Sequence, residues 1–181
     1  ARGKSSIIIN DVSGEVYNST SAFLARKGYT TLRLDFSNAA YSESFNPLLD
    51  CRSISDIQKV ALLIIRNALG ESKNDPFWEQ SSIMLISLFA RYLVFHRAPE
   101  YRTLQNVLRL IETFSVSGTM IDKLMVRTGD EELLTAYKAT VAISDKTLQS
   151  IIATARTALS LFCDPEVCKT TATNSIDFSL L

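Results

Sequence analysis

The sequence predicts a mainly α fold: a six-helix all-α domain over roughly residues 49–168, preceded by a short β-α-β fragment. Three observations carry this expectation. Apolar residues fall at helical spacing from Ile54 onward. β-branched runs of strand type are confined to the first 35 residues. Glycine and proline interrupt the helical stretch at intervals that leave only short connections.

The elements follow in chain order. "SIIIN", residues 6–10, is a short β-branched run suited to a buried strand; "GEVYNSTSAFLARKG", residues 14–28, fits a helix closed by Gly28; "YTTLRLD", residues 29–35, fits a second strand. A connection of that length implies a parallel pair with a right-handed crossover. Two strands alone make a poor sheet, so the fragment expects neighbours.

After "SFNPLLD" the pattern changes. Ile54, Ile57, Ala61, Ile64, Ile65 and Ala68 form one stripe, opened by a capping pattern from Ser55 to Gln58 and stopped by Gly70. The next helix is expected to begin at Asp75 with Pro76 in the first turn and Glu79 near the positive end of the dipole, and to run to about Arg97 before the break at Pro99. Further stripes lie at Leu104, Val107, Leu108 and Ile111, then at Ile121, Leu124 and Met125 with Gly129 as a C-terminal cap. Asp130 opens a helix with Leu133, Leu134, Tyr137 and Val141 inward. Ser144 caps the last, whose apolar side is Leu148, Ile151, Ile152, Ala155, Leu159 and Phe162, ending before Asp164-Pro165. The tail "TNSIDFSLL" returns toward strand character.

Composition narrows the function classes. The chain has 181 residues, 46% hydrophobic, with 19 basic and 19 acidic side chains, which argues against coating nucleic acid through bulk electrostatics while leaving room for a local basic patch. Cys51, Cys163 and Cys168 are odd in number and lack a histidine cluster, so they read as reduced thiols rather than a disulfide framework or zinc site. The most apolar run, Ile83 to Phe95, carries Arg91 near its middle and falls short of the about 18 to 20 residues a membrane span requires. It reads as a buried core helix, and no membrane contact by this chain is expected.

The segment "SIIINDVSGEVYNSTSAFLARKGYTTLRLDF", followed by "SESFNPL", resembles the coupling ATPases of conjugative type IV secretion, the TraG and TraD group within the FtsK/HerA-like ATPase superfamily. That family carries Asp-Pro-Lys-Gly-Glu after a strand, then a helix, a strand and Asn-Pro-Leu. Asp11, Gly14 and Glu15 match, as do Asn46, Pro47 and Leu48, while Val12-Ser13 stands where the family has Pro-Lys. "DPFWEQSSIMLISLFARYL" and "LQSIIATARTALSLFCDPEV" are similar to later helices of the family, so the resemblance covers nearly the whole chain.

The resemblance implies a fragment of a RecA-like motor lacking the phosphate-binding loop, which it places upstream of Ala1, with an acidic strand downstream of Leu181. Residues 1–48 become the β-α-β piece of the motor domain, 49–168 the all-α domain, and 169–181 the return segment. The implied role is substrate recognition: recruiting a relaxase with its DNA, or another secreted protein, to secretion-channel components in the cytoplasm. Single-stranded DNA is a further candidate partner. The parent is implied to be a homo-hexameric ATPase at the bacterial inner membrane using ATP and Mg²⁺, whereas this chain alone is expected to hold no cofactor and hydrolyse no ATP. The alternatives are a DNA-binding translocation module of the same motor and a stand-alone helical adaptor.

The residues also admit simpler roles. "GKSS", residues 3–6, ends like a phosphate-binding loop, but a strand-like run follows where that motif needs a helix, so chance is preferred. Asp11, Gly14 and Glu15 are nucleotide-site neighbours by resemblance; by their own chemistry Asp11 caps the turn and Glu15 favours the helix start. Trp78 with Phe77 is a candidate recognition anchor or a core residue. Arg91, Arg97 and Arg102, with Tyr92 and Tyr101 interleaved, are candidate DNA or partner contacts against a solvated helix end. His96, the one histidine, reads as a solvated polar residue, and no catalytic or metal-ligating set is expected.

Overall fold

The computed structural model describes residues 5–70 and 76–177. Its helices are α1 (Glu15–Arg26), α2 (Ile54–Leu69), α3 (Pro76–His96), α4 (Leu104–Val116), α5 (Gly118–Arg127), α6 (Glu131–Val141), α7 (Asp145–Ala158) and α8 (Pro165–Thr170). Short 3-10 turns stand at Ala39–Tyr41, Pro99–Tyr101 and Ser160–Cys163. All six helices expected beyond residue 49 are present as α2 to α7, and α8 is added after Asp164.

Helix α3 is the centre of the bundle. It buries eleven residues, including Leu85, Ile86, Phe89 and Leu93, and packs against α2, α4, α6 and α7. A helix apolar on most of its circumference belongs inside a bundle rather than at its surface. Its neighbours are one-sided: α2 presents Ile57, Ala61 and Ile65, α4 presents Val107, Leu108 and Ile111, and α7 presents Leu148, Ile151, Ile152 and Ala155. Full burial of each such side chain contributes about 1.5–3 kcal/mol, and Phe89, Phe114 and Tyr137 form an aromatic chain across the core.

Local signals set the helix ends. At α2 the cap is Ser53, whose hydroxyl accepts the Asp56 N–H while the Asp56 carboxylate accepts the Ser53 N–H. The expected Ser55 to Gln58 pattern therefore lies two residues inside the helix. Gly70 ends α2 at φ 70, in the left-handed region that disfavours other residues. Asp130 opens α6 as expected, its Oδ1 accepting the Leu133 N–H. Ser144 occupies the cap position of α7, but its hydroxyl donates to Thr147 Oγ1 at 2.9 Å instead of capping an amide. Pro76 is the first residue of α3; Asp75, Gly3 and Lys4 lie outside the described residues, as do Phe178 to Leu181 of the tail.

The expected β-α-β fragment is corrected. Helix α1 forms, but residues 6–10 and 29–35 are not strands, and no strand occurs among the described residues. Ile7, Ile8 and Ile9 are exposed, and α1 buries no residue. Strand identity depends on a ladder of partners as much as on β-branched side chains. Here the second segment makes scattered contacts in place of a ladder: the Glu43 N–H donates to the Arg33 carbonyl, and the Asp35 N–H donates to Ser42 Oγ.

Candidate functional site

The helical unit is entered and left through one stem. Residues 43–50 run beside 170–175: the Phe45 N–H donates to the Thr170 carbonyl, and the Ser175 N–H to the Ser44 carbonyl, both at 2.9 Å. Ser175 Oγ also bonds the Glu43 carboxylate. Asn46 closes the stem from inside. Its side chain is fully buried, donating through Nδ2 to the carbonyls of Arg102 at 2.8 Å and Ala172 at 3.1 Å while Oδ1 accepts the Leu48 N–H. Asn174 answers by accepting the Asn46 N–H. A polar cleft of about 520 Å³ lies beside the stem, lined by Ser42, Ser44, Glu166, Lys169 and Thr170 among others. Glu166 bridges it, accepting from the Ala39 N–H and the Lys169 ammonium.

The three arginines grouped in the sequence separate in space. Arg91 is largely buried at the junction of α3 and α6, its Nη2 meeting both Asp130 oxygens at 3.0 Å and Glu132 at 3.3 Å. Its Nε is buried and finds no partner among the described residues. His96, expected in solvent, instead places Nε2 3.1 Å from Asp130 and stacks on the buried Tyr92. Asp130 thus caps α6 and receives two side chains from α3. The Leu133 N–H, with His96 and Arg91, holds its carboxyl below the usual range against the opposing effect of desolvation.

Arg97 and Arg102 stay together at the turn between α3 and α4. The Arg97 guanidinium lies 4.9 Å from the Tyr101 ring centre, and Arg102 Nε donates to the Arg97 carbonyl at 2.9 Å. Asn106 Nδ2 bonds the Tyr101 carbonyl, and Arg109 Nη1 reaches Asn106 Oδ1 at 3.4 Å. Arg109 did not stand out in the sequence because its role depends on the helix phase that sets it beside Asn106. Tyr92 is absent from this corner because it faces the core.

Trp78 is half-buried against the core and edge-on to Phe77, their centres 5.1 Å apart. It borders a groove of about 340 Å³ with Ile65, Leu69 and Thr154, rimmed by the Arg66–Glu79 ion pair. At the other end of the chain, Asp11 Oδ2 accepts the Tyr17 N–H at 2.8 Å. Gly14 supports the turn at φ 75, and Glu15 begins α1. The carboxylate at 11 is engaged by its own backbone, and residues 11–15 include no cation.

A family model described as "Type IV secretory system Conjugative DNA transfer" matches residues 2–181. No curated protein and no solved structure matches the chain.

Proposed function

The chain belongs to the type IV secretory system conjugative DNA transfer family, and on that premise we propose that it supplies the substrate-recognition unit of a coupling protein of the TraG and TraD kind. Its cargo is a relaxase carrying its DNA strand, or another secreted protein, which it presents to the secretion channel. Residues 1–48 belong in this reading to the motor domain, and helices α2 to α8 form a branch held out from it.

The stem carries the proposal. A unit whose entering and leaving chains are joined by Asn46 and Asn174 interrupts a host domain with little disturbance to it, and its helix surfaces remain available for docking. The exposed apolar residues of 7–36 support the other half of the reading, because they suit a surface that another part of a motor would cover. In this reading ATP and Mg²⁺ are held by the motor rather than by this chain, and the Asp11 carboxylate serves its own turn through the Tyr17 N–H.

The test is retention of the cognate relaxase by the immobilised full chain, with and without an attached DNA strand. Saturable retention of the free relaxase that changes little with salt is expected for docking through packed surfaces. Failure to retain either form overturns the recognition role.

A further inference from the structure

We propose that the corner between α3 and α4 is a contact site for single-stranded DNA, with Tyr101 as a stacking face and Arg97, Arg102 and Arg109 as phosphate contacts. This rests on the substrate-recognition reading and adds a direct hold on the nucleic acid to it.

The four residues are tied to one turn. The Arg97 guanidinium lies over the Tyr101 ring at 4.9 Å from its centre, Arg102 bonds the Arg97 carbonyl, and Asn106 connects the Tyr101 carbonyl to Arg109. Among the described residues none of the three arginines makes an ion pair, whereas Arg33, Arg66, Arg91 and Arg156 each have a carboxylate partner. Residues 97–110 include three arginines and a single acid, Glu100. Positive charge is therefore concentrated locally in a chain whose net charge is zero.

Tyr101 is 46% exposed, so the arginine on its ring leaves aromatic surface open. A guanidinium held over a ring adds a planar cation beside the aromatic face on which a base can lie, and stacking of this kind tolerates any base. The bases of a duplex are occupied by their neighbours and cannot use it. An acidic peptide could meet the guanidinium groups but would leave the aromatic face without a planar partner. The corner is also firmly placed, because the Arg102 carbonyl receives the buried Asn46 amide.

The experiment titrates the full chain into a fluorescently labelled oligothymidylate of about 12 nucleotides and reads anisotropy from about 50 mM salt upward. Three phosphate contacts predict a slope of log affinity against log salt of about −2. Tyr101→Leu should weaken binding roughly 5- to 100-fold with that slope unchanged. Arg97→Gln/Arg102→Gln/Arg109→Gln should flatten the slope toward zero, and Arg109→Gln alone, at an exposed position, should lower it by about 0.7.

The proposal is overturned if the folded wild type does not bind, or if the triple variant, folded by circular dichroism, binds as well as wild type. Equal competition by a duplex of the same length or by polyglutamate also overturns it, by showing a site for acidic ligands in general. Relaxase retention by the same proteins separates the two readings: loss of DNA binding with retention intact removes only this corner, whereas absent retention with DNA binding intact removes only the recognition role.

Discussion

Replacing Asn46 should open the stem. In Asn46→Ala the carbonyls of Arg102 and Ala172 and the N–H of Leu48 all lose their partner. A buried polar group left unsatisfied costs about 1–3 kcal/mol. Ala172 is partly exposed, so water can replace one of the three bonds, while Leu48 is 1% exposed and its amide has no such recourse. Counting about two groups fully lost gives about 2–6 kcal/mol of destabilisation. For a chain of this size each kcal/mol lowers Tm by about 2–4 °C, so a fall of about 4–24 °C is expected in thermal unfolding followed by circular dichroism. Asn46→Asp sharpens the reasoning. It retains the acceptor for Leu48 but sets a carboxylate oxygen against two carbonyls, so near neutral pH it should be at least as damaging as the alanine. A Tm within about 2 °C of wild type for the alanine variant, or a clearly milder aspartate variant, refutes the assignment.

The depressed Asp130 carboxyl contributes stability above its ordinary value near 4, and that contribution is lost as pH falls through its lower native value. Wild type should therefore lose urea stability faster than Asp130→Asn below about pH 4; parallel curves contradict the junction described. Cys51 is buried, its thiol pushed up to about 11 by burial and then by Asp56 and Asp50, while Cys163 is exposed. A thiol reagent near neutral pH should modify Cys163 promptly and Cys51 only after unfolding, as peptide mapping would show. Phe89→Ala removes a fully buried ring from the middle of α3 and should cost about 3–5 kcal/mol in denaturant unfolding.

The helical part was legible because its signals are local. Period and punctuation placed α2 to α7, and Asp130, three residues before Leu133, was readable as a cap. The error at Ser55 is of the same local kind, since Ser53 with Asp56 offers equivalent capping chemistry two residues earlier. The strand expectation failed for a different reason: Ile7-Ile8-Ile9 has strand composition, but composition cannot supply the neighbouring backbone a strand requires. The stem joins residues more than 120 positions apart, and Asn46 stood out only through a resemblance, with nothing in its own surroundings to announce a buried amide. Arg91 and Arg97 looked equivalent in sequence. Helix phase turns the first toward Asp130 and leaves the second at the surface, which divides the basic group seen in the sequence.

The account depends most on the helical unit closing at its own stem, independently of the segment that precedes it. Native-state hydrogen exchange on the full chain measures this directly. The amides of Phe45, Leu48 and Ser175 should share the slow exchange of the α3 core, while those of residues 7–10 exchange quickly. Rapid exchange at those three amides, or protection of residues 7–10 equal to that of α3, would contradict it.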